Sequence, residues 1–546
     1  MTAPALNQLF YGDNLNVLRT LPSESVDLVY LDPPFNSNRN YSVIFNRHDT
    51  KDADVTTQIQ AFEDTWSWTQ ITEQQYLEFM ANAPNEAVNA LTAFRALLGE
   101  NDASAYLVNM APRLLELRRV LKDTGSLWLH CDPTMSHYLK ILLDAIFGPQ
   151  AFHNELIWER TTGKALQSRR LPNNHDVILV YGKTDSTKWN SDAAFIPYDE
   201  NNLDEKTASK YRYRDPDGRR YRLDNLINPN PNRPNLTYEF LGMTRVWRWT
   251  EERMRQAYED GLVVQTRPGN VPQRKSYLDE KRGKPLADVW TDIPPLNSQA
   301  AERLGYPTQK PMALLERILS LGTDPGDVVL DPFCGCGTTV DAAQKLGRRW
   351  IGIDITYIAA DLITKRLEHT YGPEVRATFE VLGMPEDLAG AQALFERDPF
   401  EFERWAVSQI GAQPNERQVG DKGIDGVARF PLNAKGTHVG KVLVSVKGGK
   451  TVTPSMVRDL AGTVEHTSGA EMGVLVTMDT LTRGSQEVID KSGSYVFPLN
   501  GQPFPRLQHI SVPEILQGMR PHTPPTFLPY INAKRQQVPA VTEGLF

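Results

Sequence analysis

Apolar runs broken by turn-forming residues set out the elements of this chain. Val26-Asp-Leu-Val-Tyr-Leu31 reads as a buried strand. It stops at Asp32-Pro33-Pro34-Phe35, because two prolines cannot continue a central ladder. Residues 55–122 read as helical, Asp123-Thr-Gly125 predicts a turn, and Ser126–Cys131 predicts a short strand. Met135–Phe147 has helical spacing and ends at Gly148, and Ile178-Leu-Val-Tyr181 is a further strand. Pro311–Leu321 predicts a helix and Asp327–Leu330 a buried strand. A glycine-rich loop, a helix and a strand at Trp350–Ile353 follow, which together make a βαβ unit. A helical connector is expected over 375–398, then a second α/β segment with strands at Lys441–Val446 and Met472–Thr477. Prolines at 521, 524, 525, 529 and 539 predict a poorly ordered tail after Gly518.

These patterns divide the chain at 1–185, 186–290, 291–374, 375–398, 399–518 and 519–546. The 546 residues carry a net charge of −8, which excludes a uniformly basic nucleic-acid binder. Charge is distributed unevenly, however. Residues 203–255 hold twelve Lys or Arg against eight Asp or Glu, interleaved with Tyr211, Tyr213, Tyr221, Tyr238, Trp247 and Trp249. That composition predicts phosphate and base contacts, and Ser168-Arg-Arg-Leu171 adds candidate phosphate contacts. Three cysteines exclude a disulfide scaffold. There is no apolar run of membrane-spanning length and no basic, apolar leader pattern at the start, so the expectation is a soluble cytoplasmic protein without a membrane partner.

Asp331-Pro-Phe333-Cys-Gly335-Cys-Gly337 leaves a buried strand and enters a helix. Glycines there let backbone approach a ligand, and the helix start presents N–H groups to anything negative. The next strand ends in Asp354, at the distance usual for an acid that binds ribose hydroxyls, so an adenosine-containing cofactor is expected. The glycine spacing departs from the dinucleotide pattern and disfavours NAD. Cys334 and Cys336 lack a second Cys or His pair and read as small loop residues rather than metal ligands.

Asp32 sits at the carboxyl end of a strand, where open α/β sheets bind ligands. An acidic oxygen beside a carbonyl held by rigid prolines makes two acceptors, which suits the two N–H donors of an exocyclic amino group. Phe35 offers a flat face to a base removed from its stack.

With both motifs in place, the sequence resembles the β group of the S-adenosylmethionine-dependent amino DNA methyltransferases, which modify adenine N6 or cytosine N4. In that group the catalytic motif precedes the cofactor loop. Gly12-Asp13, Asp123–His130, Asn154–Trp158 and Pro307-Thr-Gln-Lys-Pro311 extend the resemblance over about residues 7–370. It implies a Rossmann-like α/β methyltransferase sheet with an inserted target-recognition region. By the same resemblance Asp32, Pro33, Pro34 and Phe35 are catalytic. Asp331, Phe333, Gly335 and Gly337 cradle the methionyl part and ribose, and Asp354 binds ribose hydroxyls. Thr308, Gln309 and Lys310 hold the methionine carboxylate, and Asp13 lies near the adenine. Asp13 also reads as a helix N-cap. Aspartate at position 32 leans toward adenine, with N4-cytosine as the alternative. The partners implied are double-stranded DNA and either a second copy of the chain or a restriction partner. A DNA-binding sensor that uses the same fold is the non-enzyme alternative, and the intact Asp32, Phe35, Gly335 and Asp354 argue against it.

The last segment resembles the Mrr-type restriction-endonuclease fold, a second, smaller α/β domain. The resemblance places Asp425, Ser445 and Lys447 at its nuclease positions, with Mg²⁺ at Asp425 and Glu403 supplying a compensating acid. Ser445 departs from the usual Glu or Gln, which leaves two alternatives, DNA cleavage or a nuclease fold kept for DNA binding.

Overall fold

The computed structural model describes residues 6–34, 40–44, 58–63, 67–161, 171–296, 302, 309–415, 423–433, 438–449 and 452–526. One sheet is built from β1 (Asn7–Tyr11), β2 (Val26–Leu31), β3 (Leu121–Cys131), β4 (Phe152–Glu159), β5 (His175–Gly182), β6 (Val289–Trp290), β7 (Val328–Asp331), β8 (Arg349–Asp354) and β9 (Phe379–Leu382). Its order is β6-β4-β5-β3-β2-β7-β8-β1-β9. Every pairing is parallel except those of β5, which runs antiparallel to both β3 and β4. Residues such as Val29, Leu127, Leu129, Leu179 and Leu330 pack the core with Tyr106, Leu114 and Leu142 from the covering helices. A sheet covered on its faces reads as unbroken apolar runs, and all six residues of β2 are buried. Asp27 is tolerated inside β2 because it accepts hydrogen bonds from Lys122 Nζ (2.7 Å) and the Val328 N–H (2.9 Å).

The strands and helices named from the sequence are present, with four differences. Residues 58–63 are a strand paired antiparallel with Asn40–Ile44, so the helical part of 55–122 begins at Gln70. The expected turn at 123–125 is a bulge inside β3. Pairing passes from Val26↔Leu121 to Leu28↔Ser126, so the extra residues of β3 loop out. The connector holds a helix at Leu388–Arg397, but Phe379–Leu382 extends the large sheet as an edge strand beside β1. That extension carries the sheet past the expected boundary at 374. The tail is tied down as far as it is described, since the His522 N–H donates to Gln508 Oε1 (2.8 Å). The prolines beyond 526 and the Ser168-Arg-Arg segment lie outside the described residues.

The second α/β domain has its own sheet. Its strands, in spatial order, are β10 (Gln413–Pro414), β11 (Gly426–Pro431), β12 (Val439–Lys447), β13 (Ala470–Thr477) and β14 (Leu507–Ser511). β12, β13 and β14 are parallel. Among the described residues no helix is long and apolar enough to cross a membrane.

Residues 190–287 form a separate compact unit. A four-stranded antiparallel sheet and a hairpin (Thr237–Phe240 with Met243–Val246) surround a core of Leu226, Phe240, Trp247, Met254 and Val263. Two of the interleaved aromatics therefore serve packing. Tyr211 is buried, and Trp247 is fully buried with its Nε1 donating to the Tyr238 carbonyl (3.0 Å). Several of the cations are paired within the unit, Arg219 with Asp279 (2.7 Å) and Lys275 with Asp215 (2.6 Å). Arg233, Arg245 and Arg248 stay exposed.

Trp247→Ala is expected to cost ~3–5 kcal/mol and unfold this unit. Limited proteolysis should then cut within 190–287, and a variant unit as resistant as wild type would contradict the packing role of Trp247.

Candidate active site

β2, β7, β8 and β1 lie side by side and parallel, so their carboxyl ends share one edge. β2 leads on to Asp32, β7 ends in Asp331, β8 ends in Asp354, and β1 leads into Gly12-Asp13. β7 leads through a helix to β8 on one side and β2 leads to β3 on the other, which makes the β2/β7 boundary the switch point where such sheets bind ligands. A cavity of about 280 Å³ opens there, and Asp13, Asp32, Lys310, Asp331, Phe333 and Asp354 are among its lining.

The glycine loop is shaped by its two positive-φ residues, Gly335 (49°) and Gly337 (75°). A Cβ on Gly337 would come within 2.6 Å of Ile363. The loop is tied across to β8, because the Gly335 N–H donates to Asp354 Oδ2 (2.9 Å). Asp354 Oδ1 accepts from the Thr356 N–H (2.9 Å) and hydroxyl (2.8 Å). Burial nonetheless raises the Asp354 pKa to about 6. Asp331 is more enclosed. Its Oδ1 accepts the Phe333 N–H (3.0 Å), and burial raises its pKa to about 7.

Asp13 is the helix N-cap that its position suggested. It caps the helix α1 (Asn14–Thr20) by accepting the Asn16 N–H (3.2 Å), and it lines the cavity. Its other oxygen accepts from Arg113 (2.7 Å) on the helix α2 (Asp102–Val120). Arg113 also donates to Asn14 Oδ1 (2.6 Å), and Asn14 donates to the Pro332 carbonyl (2.8 Å). This chain of bonds fixes the glycine loop against two other elements.

Among the described residues, Asp32 is held from one side only. Lys310, itself buried, donates to its Oδ2. Oδ1 is buried and accepts no hydrogen bond from the described residues. Pro33 is buried, Pro34 lines the cavity, and Phe35 and Thr308 lie outside the described residues. Gln309 lines the cavity and donates to the Glu302 carbonyl (2.7 Å). The structure therefore brings together Asp13, Asp32, Pro34, Gln309, Lys310, Asp331, Phe333, Gly335 and Asp354. Gly337 shapes the loop from outside the lining.

Sequence reasoning assigned no role to Tyr30, Asn14, Arg113, His130 or Asp176. Tyr30 lines the cavity and its hydroxyl meets His130 Nδ1 (2.9 Å), whose Nε2 meets Asp176 Oδ2 (3.1 Å). Burial would raise Asp176, but His130, Lys310 and Arg160 outweigh it and hold this carboxyl below its usual range. Strand alternation was a usable signal for Tyr30, which stands two residues before Asp32 and so on its face. Arg113 gave no local signal. Cys131, Cys334 and Cys336 are buried, and burial pushes their thiols up, so they stay protonated and non-nucleophilic.

In the second domain Asp425 and Lys447 meet. Lys447 Nζ is 3.7 Å from Asp425 Oδ2, which also accepts the Val446 N–H (2.6 Å). The Ser445 hydroxyl donates to the Gly423 carbonyl (2.7 Å). Glu403 is half-buried on the helix Pro399–Gln409. Among the described residues no group of three or more His, Cys, Asp or Glu is placed to hold a metal. Among the described residues Asp425 faces a lysine beside a serine whose hydrogen is committed, and these three alone do not make a Mg²⁺ site.

Residues 26–365 match the N6/N4 family model described as DNA methylase. The chain belongs to the DNA methylase family. Residues 394–504 of this methylase also match a model described as restriction endonuclease. It is 29% identical over 371 residues to the type II methyltransferase M.EcaI of Enterobacter cloacae, covering 66% of this chain and 69% of that protein. It is 27% identical over 355 residues to the type III restriction-modification enzyme StyLTI Mod subunit of Salmonella typhimurium, covering 62% of this chain and half of that subunit. Among solved structures, a putative DNA modification methylase from Thermus thermophilus, complexed with S-adenosyl-L-methionine, aligns with a TM-score of 0.33 at 18% identity, over 69% of this chain and 100% of that one.

The raised pKa of Asp331 has a stability consequence. Its carboxyl titrates at about 7 in the folded methylase against 3.8 when unperturbed, so between those values the folded state binds more protons. Stability then falls as pH rises from 4 to 7, by at most ~1.4 kcal/mol per unit, and the loss is complete above 7. Asp331→Asn removes this slope. Melting curves of the ligand-free proteins from pH 5 to 8 should show wild type falling relative to the variant, with the variant more stable at pH 8. Parallel curves would contradict the assignment.

Proposed function

We propose that this DNA methylase is a site-specific cytoplasmic enzyme that moves a methyl group from S-adenosylmethionine to adenine N6 in double-stranded DNA, within restriction–modification. The observation that carries the reading is Asp32, with one oxygen held by Lys310 and the other buried without a partner among the described residues, in the same cavity as the glycine loop and Asp354. A buried, unpaired acceptor calls for an N–H donor. An aspartate at this motif position supports adenine over cytosine by family resemblance.

S-adenosylmethionine, when bound, supplies an electrophilic methyl group on a sulfonium centre. The chain does the rest. Asp354 accepts from the ribose hydroxyls, Asp13 stands beside the adenine, and exposed Ile355 offers it an apolar surface. Asp331, Phe333 and the glycine backbone receive the methionyl part, and Thr308 and Gln309 serve its carboxylate. Asp32 Oδ1 and the Pro33 carbonyl accept the two amino protons of the target base, which keeps the nitrogen lone pair out of the ring, and Phe35 stacks on the base. With S-adenosylmethionine bound, the nitrogen would take the methyl group in line as the methyl–sulfonium bond breaks to leave a neutral thioether, and the surplus proton would pass through Asp32 to solvent. Positioning and fixed charge carry the rate. The protonated thiols take no part, so no covalent enzyme intermediate forms. In the 190–287 unit, exposed Arg233, Arg245 and Arg248 contact phosphates or base edges. In the C-terminal domain Lys447 contacts the DNA backbone.

Unmodified DNA incubated with enzyme and S-adenosylmethionine should yield N6-methyladenine by nucleoside mass spectrometry. Asp32→Ala should lower the yield by ~100-fold or more. N4-methylcytosine would keep the mechanism and overturn the base, and full turnover by Asp32→Ala would overturn the mechanism.

A further inference from the structure

Family resemblance gives Lys310 to the cofactor's carboxylate. In the structure its ammonium donates to Asp32. We infer that Lys310 is a positioning residue for the methyl-transfer step, which fixes Asp32 through Oδ2 so that Oδ1 alone is presented to the target amino group. The inference rests on the reading of Asp32 as the amino-group acceptor.

Geometry comes first. Lys310 is 7% exposed and donates to Asp32 Oδ2, and the opposite oxygen is buried with no partner among the described residues. A carboxylate anchored at one oxygen keeps its plane, so the free oxygen has a set direction before any base arrives. The lysine backbone is anchored as well, because Pro311 follows directly and caps the helix Met312–Gly322. Enzymes gain most from acceptors oriented before the reaction begins.

Charge gives the second reason. Asp32, Asp331 and Asp354 line one cavity, with Asp176 close enough to feel Lys310. Asp32 and Asp331 also repel each other's charge. Neighbouring carboxylates in a low-dielectric site repel strongly, and a cation placed beside them offsets that repulsion. Arg113, the other cation among the described residues lining the cavity, is committed to Asp13 and Asn14. Lys310 supplies the charge at Asp32.

The test separates this role from cofactor holding. Full-length wild type, Lys310→Met, Lys310→Gln, Lys310→Arg, Asp32→Asn and the double variant Asp32→Asn/Lys310→Met are compared. Calorimetry gives the S-adenosylmethionine dissociation constant, and single-turnover methylation of a duplex is followed at saturating cofactor. Lys310→Met should slow transfer by ~100-fold, with the dissociation constant changed by less than ~3-fold. Lys310→Gln should be similarly slow, and Lys310→Arg should recover at least ~10-fold of the loss by restoring the cation. The double variant should be no slower than Asp32→Asn, since a residue acting only through Asp32 has nothing left to act on. If Lys310→Met does not fold, judged by its melting curve, the Gln and Arg variants decide alone. A dissociation constant raised ~10-fold or more with the saturated rate intact would return Lys310 to the cofactor and overturn the proposal. Additive losses in the double variant would overturn it as well. Wild-type turnover by Asp32→Asn would instead bring down the reading of Asp32, a failure visible without any Lys310 variant.

Discussion

β2 pairs with β7 through Leu28↔Val329 and Val29↔Leu330, and the rest of the site depends on that register. It sets the end of the strand that leads to Asp32 beside the end of the strand that carries Asp331. A buried carboxylate secures the arrangement. Asp27 binds the backbone of β7 at Val328 and the side chain of Lys122 on β3, and so ties three neighbouring strands at the opposite end from the cavity. Apolar residues alone would hold these strands together, but a one-residue slip would leave Asp27 without its partners at the cost of an unpaired buried charge.

The carboxyl edge is the reverse case, where acids gather without full compensation. Burial keeps Asp331 and Asp354 partly protonated near neutrality. Both oxygens of Asp354 accept hydrogen bonds from the loops they organise, so its acidity and the shape of the glycine loop depend on each other. Such a site is less stable than a satisfied core and better suited to donors brought in by a ligand.

Much of this was legible in the sequence for physical reasons. Proline stops β2 at Asp32, glycine marks the positive-φ turns of the loop, and the acid at the end of β8 falls at the expected spacing. Other features were hidden for equally physical reasons. The edge strand Phe379–Leu382 is too short to show a period. The bulge at 123–125 has the composition of a turn. Trp247 looks like a base-contacting aromatic until its indole is seen bonded inside a core. The pairing of Lys310 with Asp32 joins two distant segments, as does the path from Asp13 through Arg113 to Asn14, and no local pattern encodes either. In the second domain, the unusual Ser445 was visible in the sequence. Its commitment to Gly423 needed the fold.

The central claim is that Asp32 Oδ1 is the acceptor for the target amino group. The most direct measurement is a crystal structure of the full-length protein with a non-reactive cofactor analogue and an adenine-containing duplex. The account predicts a base turned out of the helix, its N6 about 3 Å from Asp32 Oδ1, with Lys310 still on Oδ2. A bound base whose amino group is remote from Asp32, or Lys310 withdrawn onto the analogue's carboxylate, would contradict it.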